Sequence, residues 1–193
     1  MLTSWIRSGR GPLGRTASRG ASLIEILVSI LIMTFGVLGL AALQAKAQKS
    51  ELESYQRQQA LILVEDMASR IAANKNQDNS LAASYVTTAP LGTGDTSDCS
   101  APTTNQQRDS CEWSGVLKGS SATQGSSKLG AMINARGCVT EIIANLEYRV
   151  DVVWQGLNPT VAPASTCGQD LYDSEDTRRA VSMTVRMANL SAP

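Results

Sequence analysis

The sequence predicts an α+β protein in which a long N-terminal helix, apolar and then amphipathic, packs on a small antiparallel β-sheet. Three patterns indicate this fold. They are an uncharged run of eighteen residues, an apolar stripe of helical period after it, and segments of strand period in the last third of the chain. The 193 residues suffice for one modest domain in addition to the helix.

The uncharged run extends from Ile26 to Leu43 and is long and apolar enough to cross a bilayer. Residues 1–20 contain no acid and four arginines: Arg7, Arg10, Arg15 and Arg19. Because positive charge marks the cytoplasmic side of a span, we expect everything after about residue 45 to lie outside the inner membrane. One carboxylate, Glu25, lies at the edge of the apolar block. A charge there costs on the order of 3 kcal/mol, which makes Glu25 a candidate functional residue.

The helix is predicted to continue beyond the apolar run. Residues 44–75 lack proline and glycine and are rich in good helix formers. They carry one apolar stripe of 3.6-residue period, formed by Ala60, Leu63, Val64, Met67, Ala68 and Ile71. We therefore predict one helix from about Ser22 to Asn74, in which residues 46–75 form an amphipathic part that packs against a globular head.

The head, residues 76–193, begins with polar sequence and ends with strands. Residues 76–130 predict long surface loops with one short helix, Gln106–Leu117, that carries Trp113. The segment from Lys118 to Lys128 is predicted to be flexible. Strict alternation predicts half-buried strands at residues 147–154 and 181–187, and residues 138–143 are a third, shorter candidate. Strands joined in sequence favour an antiparallel sheet with one face on the helix.

Four cysteines follow the apolar run: Cys99, Cys111, Cys138 and Cys167. None belongs to a C-x-x-C pair, and the chain has no histidine that could complete a zinc site. Well-separated cysteines in an exported domain indicate disulfides. Three pairings are possible. We favour Cys99–Cys111 with Cys138–Cys167, because each bond would join a polar loop to an ordered element.

The sequence contains no motif that favours catalysis, and we expect neither an enzyme nor a cofactor. Without histidine, Ser-His-Asp and Cys-His arrangements are excluded. The acids of residues 170–176 do not have EF-hand spacing, so pairing with Arg178 and Arg179 is favoured over a Ca²⁺ site. Without residues 1–20, the chain keeps 13 basic and 17 acidic side chains, a formal charge of −4. Such a charge does not indicate a nucleic-acid partner.

The residues around Glu25 form a pattern of their own. A basic leader, a glycine, a small residue and an acid follow one another in Arg19-Gly20-Ala21-Ser22-Leu23-Ile24-Glu25. This pattern resembles the class III signal of type IV pilins and type II secretion pseudopilins. The resemblance implies that a prepilin peptidase cuts after Gly20, removes the leader and methylates the new N-terminus, Ala21. Residues 21–45 then form the transmembrane and filament-core helix, in which Glu25 pairs with the N-terminal amine of a neighbouring subunit.

Two further segments, Gly36–Gln44 and Val152–Gly156, resemble PilV-type minor pilins, also called type IV pilus modification proteins. The resemblance implies a low-copy subunit of the inner membrane, with its head in the periplasm, that is incorporated into the pilus. It would join other minor pilins in a complex that primes pilus assembly or caps the fibre tip. The implied partners are the peptidase, the other minor pilins, the major pilin, the inner-membrane assembly platform and a tip adhesin. Ala21 stands where major pilins usually have phenylalanine.

Three alternatives remain open. A minor pseudopilin of a type II secretion system would share the N-terminal pattern. A periplasmic scaffold or sensor on a plain, uncleaved anchor would share the topology alone. An ordinary secretory signal would end at Ala45-Lys46-Ala47, but the apolar run exceeds the usual 7–15 residues of a signal core, and an acid within it is unfavourable.

Overall fold

The computed structural model describes residues 20, 22–76, 79–120, 123–124, 127–128 and 132–188. The chain divides into two compact units, the first ending at Lys46 and the second beginning at Ala47. Helix α1, Leu23–Ala73, contains the boundary between them. The helix agrees with the predicted segment to within one residue at either end.

The first unit consists, in its described part, of the start of α1 and is apolar on all sides. No side chain in its most apolar window is buried, and Leu23 and Met33 are 87% and 71% exposed. The helix continues through Gly36 and Gly39 without interruption. By length and by a mean hydropathy of 2.6 over eighteen residues, this segment is a candidate membrane span.

The second unit adds eight short elements to the end of α1. In chain order they are α2 (Ser80–Ala83), β1 (Leu91–Gly92), α3 (Asn105–Leu117), β2 (Thr123–Gln124), β3 (Ser127–Lys128), β4 (Arg136–Ile143), β5 (Glu147–Gln155) and β6 (Arg178–Arg186). An antiparallel sheet has the strand order β1-β4-β5-β6, and β2 pairs with β3 separately. The α+β layout and the three longer strands are therefore as predicted, except that β4 and β6 begin two and three residues earlier.

One hydrophobic core joins α1, α3 and the sheet. The buried residues of α1 are the six of the predicted stripe, and β5 contributes Tyr148, Val150, Val152 and Trp154. Trp113 of α3 is fully buried, and its indole Nε1 donates a hydrogen bond of 2.9 Å to the carbonyl oxygen of Leu63. Only glycine fits at position 137, because an added Cβ there would lie 2.2 Å from Cη2 of Trp113.

The described part of residues 76–130 contains more regular structure than the sequence predicts. Helix α3 starts one residue before its predicted position, where Thr104 and Gln107 form a capping box. Ala82 and Tyr85 are buried in the core, although the sequence predicts surface loops for residues 76–130. The Tyr85 hydroxyl donates to Asp109 of α3 and accepts a hydrogen bond of 3.1 Å from Asn74. The segment predicted to be flexible contains the β2–β3 pair.

The second face of β5 is also covered, which differs from the prediction of a half-buried strand. Asp151 and Val153 are 1% and 0% exposed. The β5–β6 loop packs on Val153, because a Cβ added to Gly168, which has a φ of +63°, would lie 3.1 Å from that side chain. The Asp151 carboxylate accepts hydrogen bonds from Arg149, at 2.9 Å, and from Ser182. Arg178 holds this loop, because its guanidinium donates to the carbonyl oxygens of Ser165 and Cys167 at 2.6 and 3.1 Å.

Two disulfides, Cys99–Cys111 and Cys138–Cys167, close segments of the second unit. This is the pairing that the sequence favours. The first bond joins the loop before α3 to α3 itself, and the second joins the β5–β6 loop to β4. Crosslinks of this loop size contribute about 3–4 kcal/mol to the free energy of unfolding, largely by restricting the unfolded chain.

We expect loss of the Cys138–Cys167 bond to destabilise the second unit more than loss of the Cys99–Cys111 bond. The Cys138–Cys167 bond closes the longer segment, with a sequence separation of 29 against 12 for Cys99–Cys111. In addition, Cys167 is buried whereas Cys99 is exposed. Guanidinium unfolding of the full chain in detergent should show a larger loss for Cys138→Ala/Cys167→Ala than for Cys99→Ser/Cys111→Ser. The reverse order would contradict the role of the loop as a cover for β5.

Candidate functional site

The residues that the sequence singles out for processing lie at the start of α1. The backbone N–H groups of Glu25 and Ile26 donate to the carbonyl oxygen of Ser22, at 3.0 and 3.2 Å, and form the first turn. Gly20 precedes this turn and is exposed, with no atom within 4 Å of the position of a Cβ. Ala21 and the leader residues 1–19 lie outside the described residues. The cleavage and methylation sites therefore remain predictions.

Glu25 occupies the first turn of α1 and is exposed. A carboxylate is favourable there, because the unpaired N–H groups of a helix start carry partial positive charge. The Ser29 hydroxyl donates to the backbone oxygen of Glu25 at 2.7 Å and leaves the carboxylate uninvolved. Among the ion pairs of the described residues, none includes Glu25. Because the Glu25 side chain is exposed, a cation of another molecule could reach its carboxylate.

Small residues share the face of α1 on which Glu25 lies. At about 100° per residue, Ser29 and Gly36 fall within about 40° of Glu25 around the helix axis, and Gly39 lies about 40° to the other side. A Cβ at Gly36 or Gly39 would meet no atom within 4 Å. Small side chains let two helices approach closely in a membrane. The face with the acid therefore carries small residues at which another helix could approach, between the larger side chains of Ile32 and Leu43.

The second unit exposes apolar side chains on the part of α1 that faces away from its core. Leu52, Tyr55 and Ile62 are 54%, 48% and 63% exposed. At about 100° per residue, Tyr55 and Ile62 lie about 20° apart and roughly opposite the buried stripe. Leu52 lies at the edge of that stripe, about 20° from Leu63, so the three form a second, exposed stripe that begins beside the buried one. The sequence analysis missed this second stripe, although the spacing is visible in the sequence, because only the core-facing period was considered.

The acidic loop and its arginines are held by local interactions. Glu175 pairs with Arg178 at 2.5 Å, and the Asp176 carbonyl oxygen accepts a hydrogen bond of 3.0 Å from Arg179. The hydrogen bond from Arg178 is the main reason that the pKa of Glu175 is below its usual value. In the described part of the chain, no three acidic, cysteine or histidine side chains come together as metal ligands.

Comparison of the chain with known protein families, with characterised proteins and with solved structures finds no match. The resemblance to the pilin-like family therefore rests on the motif residues themselves. The fold shows a long apolar helix followed by a small antiparallel sheet, a layout compatible with that family.

Proposed function

We propose that this chain is a minor subunit of a type IV pilus. It would be inserted in the inner membrane by the apolar part of α1, processed after Gly20 and methylated at Ala21. It would then join other minor pilins in a complex that primes the fibre or caps its tip. The arrangement that supports this most strongly is Glu25, an exposed acid without an ion pair among the described residues, in the first turn of a helix that is apolar on all sides.

The physical reason is charge compensation. A lone carboxylate in a medium of low dielectric is strongly unfavourable, and a cation within hydrogen-bond distance makes it tolerable. Cleavage after Gly20 would create such a cation at Ala21. Side-by-side packing of two helices through the face of Glu25, Ser29 and Gly36 would bring the acid of one chain to the amine of the next. The same pair would then determine the register of the helices.

The exposed apolar side chains of α1 support the same proposal. In the first unit they are suited to lipid or to other helices, and in the second unit Leu52, Tyr55 and Ile62 leave a further apolar surface uncovered. A plain membrane anchor explains the first set alone. Packing of α1 against the helices of neighbouring subunits explains both.

The experiment that tests the proposal is the recovery of the chain from fibres sheared off the cell surface. We expect peptides of residues 47–188 in these fibres, at a small fraction of the amount of the major subunit, and none when the gene for the prepilin peptidase is deleted. Retention in the cell envelope with a dependence on the peptidase would indicate a secretion pseudopilin. Retention without that dependence would mean a plain anchored domain and would overturn the proposal.

A further inference from the structure

The two edges of the four-stranded sheet differ. At one edge, β1 pairs with part of β4. Thr87 hydrogen-bonds to the next part of β4: its N–H donates to the Val139 carbonyl oxygen at 3.0 Å, and its hydroxyl accepts from the Val139 N–H at 3.1 Å. At the other edge, β6 pairs with β5 over nine residues. Within the described residues no strand adjoins the outer side of β6.

The hydrogen bonds next to the strands show which backbone groups of β6 point outward. The Gly156 N–H donates to the carbonyl oxygen of Thr177, and the Met187 N–H donates to that of Leu146, both at 2.7 Å. Odd-numbered residues at both ends of β6 therefore bond toward β5. Because directions alternate along an antiparallel strand, the even-numbered residues have backbone N–H and C=O groups directed away from the sheet: Ala180, Ser182, Thr184 and Arg186.

Over its nine residues, Arg178–Arg186, strand β6 lacks three of the devices that usually protect an edge strand. Such strands are commonly blocked by proline, by lysine, by a bulge or by a covering segment. β6 has no proline or lysine, and its pairing with β5 runs without a shift of register, whereas β4 and β5 are out of register between Glu141 and Ile143. The charged residues of β6 are confined to its two ends.

A groove lies beside the start of β6 and carries positive charge. It has a volume of about 280 Å³ and is formed by α1 and the sheet, with Ser50, Glu53, Arg57, Trp154, Arg179 and Val181 among its lining residues. Arg179 is 3.9 Å from Glu53, which offsets its charge. Arg57 is exposed beside it, and Arg186 is exposed at the other end of the strand.

We propose that the free edge of β6 binds an extended, acidic segment of a different protein chain as a fifth strand of the sheet. Outward backbone groups would supply the hydrogen bonds, as in other cases of strand addition. Alternate apolar side chains of the segment would cover Val181, Met183 and Val185, which are only half-buried. Acidic side chains at its ends would meet Arg57 and Arg186. This interaction is separate from the pairing of Glu25 and does not depend on assembly into a fibre.

A second copy of this chain is a poor occupant of the same edge. Strand β6 carries three arginines and no acid. Pairing of β6 with a second copy of itself would therefore bring no carboxylate to Arg57 or Arg186. The charge of the groove therefore favours an acidic partner over self-association.

The test uses the full chain in detergent micelles and two synthetic nine-residue peptides. Both alternate valine and threonine, and one has aspartate and the other lysine at its ends. Hydrogen exchange is followed at single amides. We expect the aspartate peptide to slow exchange of the Ala180, Ser182 and Thr184 amides at least tenfold, and the lysine peptide to require a higher concentration for the same effect. Unchanged exchange at millimolar aspartate peptide would overturn the proposal. The same protection without peptide, rising with protein concentration, would assign the edge to a second copy instead.

Thr184→Pro gives a matched variant, because it removes one outward N–H group and leaves the hydrogen bonds to β5 in place. We expect at least a tenfold weaker binding of the aspartate peptide and a midpoint of thermal unfolding close to that of the unmodified chain. Met183→Pro, which removes an inward N–H group, should lower the midpoint strongly. If Thr184→Pro does not fold, Arg57→Glu/Arg186→Glu should reverse the preference between the two peptides. Undiminished binding by a folded Thr184→Pro, or an unreversed preference, would contradict the proposal.

Discussion

Replacing Glu25 by alanine is expected to remove the chain from surface fibres while its second unit stays folded. In the proposed fibre, the carboxylate offsets the N-terminal amine of a neighbouring subunit. Breaking a buried ion pair by removing one partner costs about 3–5 kcal/mol, because the other charge remains uncompensated. Such a loss per contact lowers incorporation by more than about a hundredfold. The measurement is the ratio of the chain in sheared fibres to the chain in membranes.

Three variants control this experiment. Glu25→Gln keeps the shape and removes the charge, so it should fail as Glu25→Ala does. Glu25→Asp keeps the charge at a shorter reach and should retain part of the incorporation. Glu51→Ala removes an exposed acid of the same helix beyond the apolar run and should have no effect. Normal incorporation of Glu25→Ala would contradict a role in charge pairing.

Replacing Trp113 by alanine is expected to destabilise the second unit more than any other single core truncation in it. The indole is fully buried between α1 and β4, where it donates to the Leu63 carbonyl oxygen and approaches Gly137. Truncating a buried tryptophan to alanine typically costs about 3–5 kcal/mol through lost burial and the cavity left behind. Denaturant unfolding of the full chain, followed by circular dichroism in detergent, measures this loss.

Trp113→Phe and Gly137→Ala separate the parts of that loss. Trp113→Phe keeps an aromatic ring and removes the N–H donor, so its loss should be smaller than that of Trp113→Ala. Gly137→Ala adds a Cβ that would lie 2.2 Å from the indole, and overpacking of this kind costs about 1–3 kcal/mol. In Gly137→Ala/Trp113→Ala the clash is gone. The two losses should therefore not add, whereas simple additivity would indicate that the two residues are not in contact.

The elements that the sequence predicts well are those whose signal is local. The stripe from Ala60 to Ile71 repeats every three or four residues, and the buried face of β5 alternates strictly, so that periodicity alone identifies both. Neither pattern depends on a distant part of the chain. The ends of α1 and α3 were predicted to within one residue for the same reason.

The elements that the sequence predicts poorly depend on distant contacts. Tyr85 lies in a segment for which the sequence predicts surface loops, yet it is buried, and Asn74 and Asp109 satisfy its hydroxyl. Asp151 stands at a position that alternation assigns to solvent, yet it is buried and accepts hydrogen bonds from Arg149 and Ser182. The β5–β6 loop packs on Val153 of the same face. The loop is ordered by Arg178, a buried cation whose partners lie three to thirteen residues away. The periodicity of a single strand does not reveal that a loop from elsewhere in the chain packs on it.

In the candidate site, too, the features with a local sequence pattern were predicted and those that depend on other molecules were not. The motif identifies Glu25, and helical geometry places Ser29 and Gly36 on its face. The structure adds that Glu25 is exposed and that Leu52, Tyr55 and Ile62 form an uncovered apolar stripe. Both features concern surfaces that meet other molecules, and a partner leaves no periodic signal in the sequence of one chain. The same holds for the free edge of β6, which follows from strand order.

The measurement that tests the proposed function most directly is the intact mass and N-terminal sequence of the chain recovered from native membranes. We predict a chain that begins at Ala21 and carries one additional methyl group on its N-terminus. A chain that begins at Met1 would instead be a permanent anchor, and one that begins at Gln48 would have lost an ordinary signal peptide. Either result would contradict assembly through Glu25, because Ala21 would carry no free amine in the first case and Glu25 itself would be gone in the second.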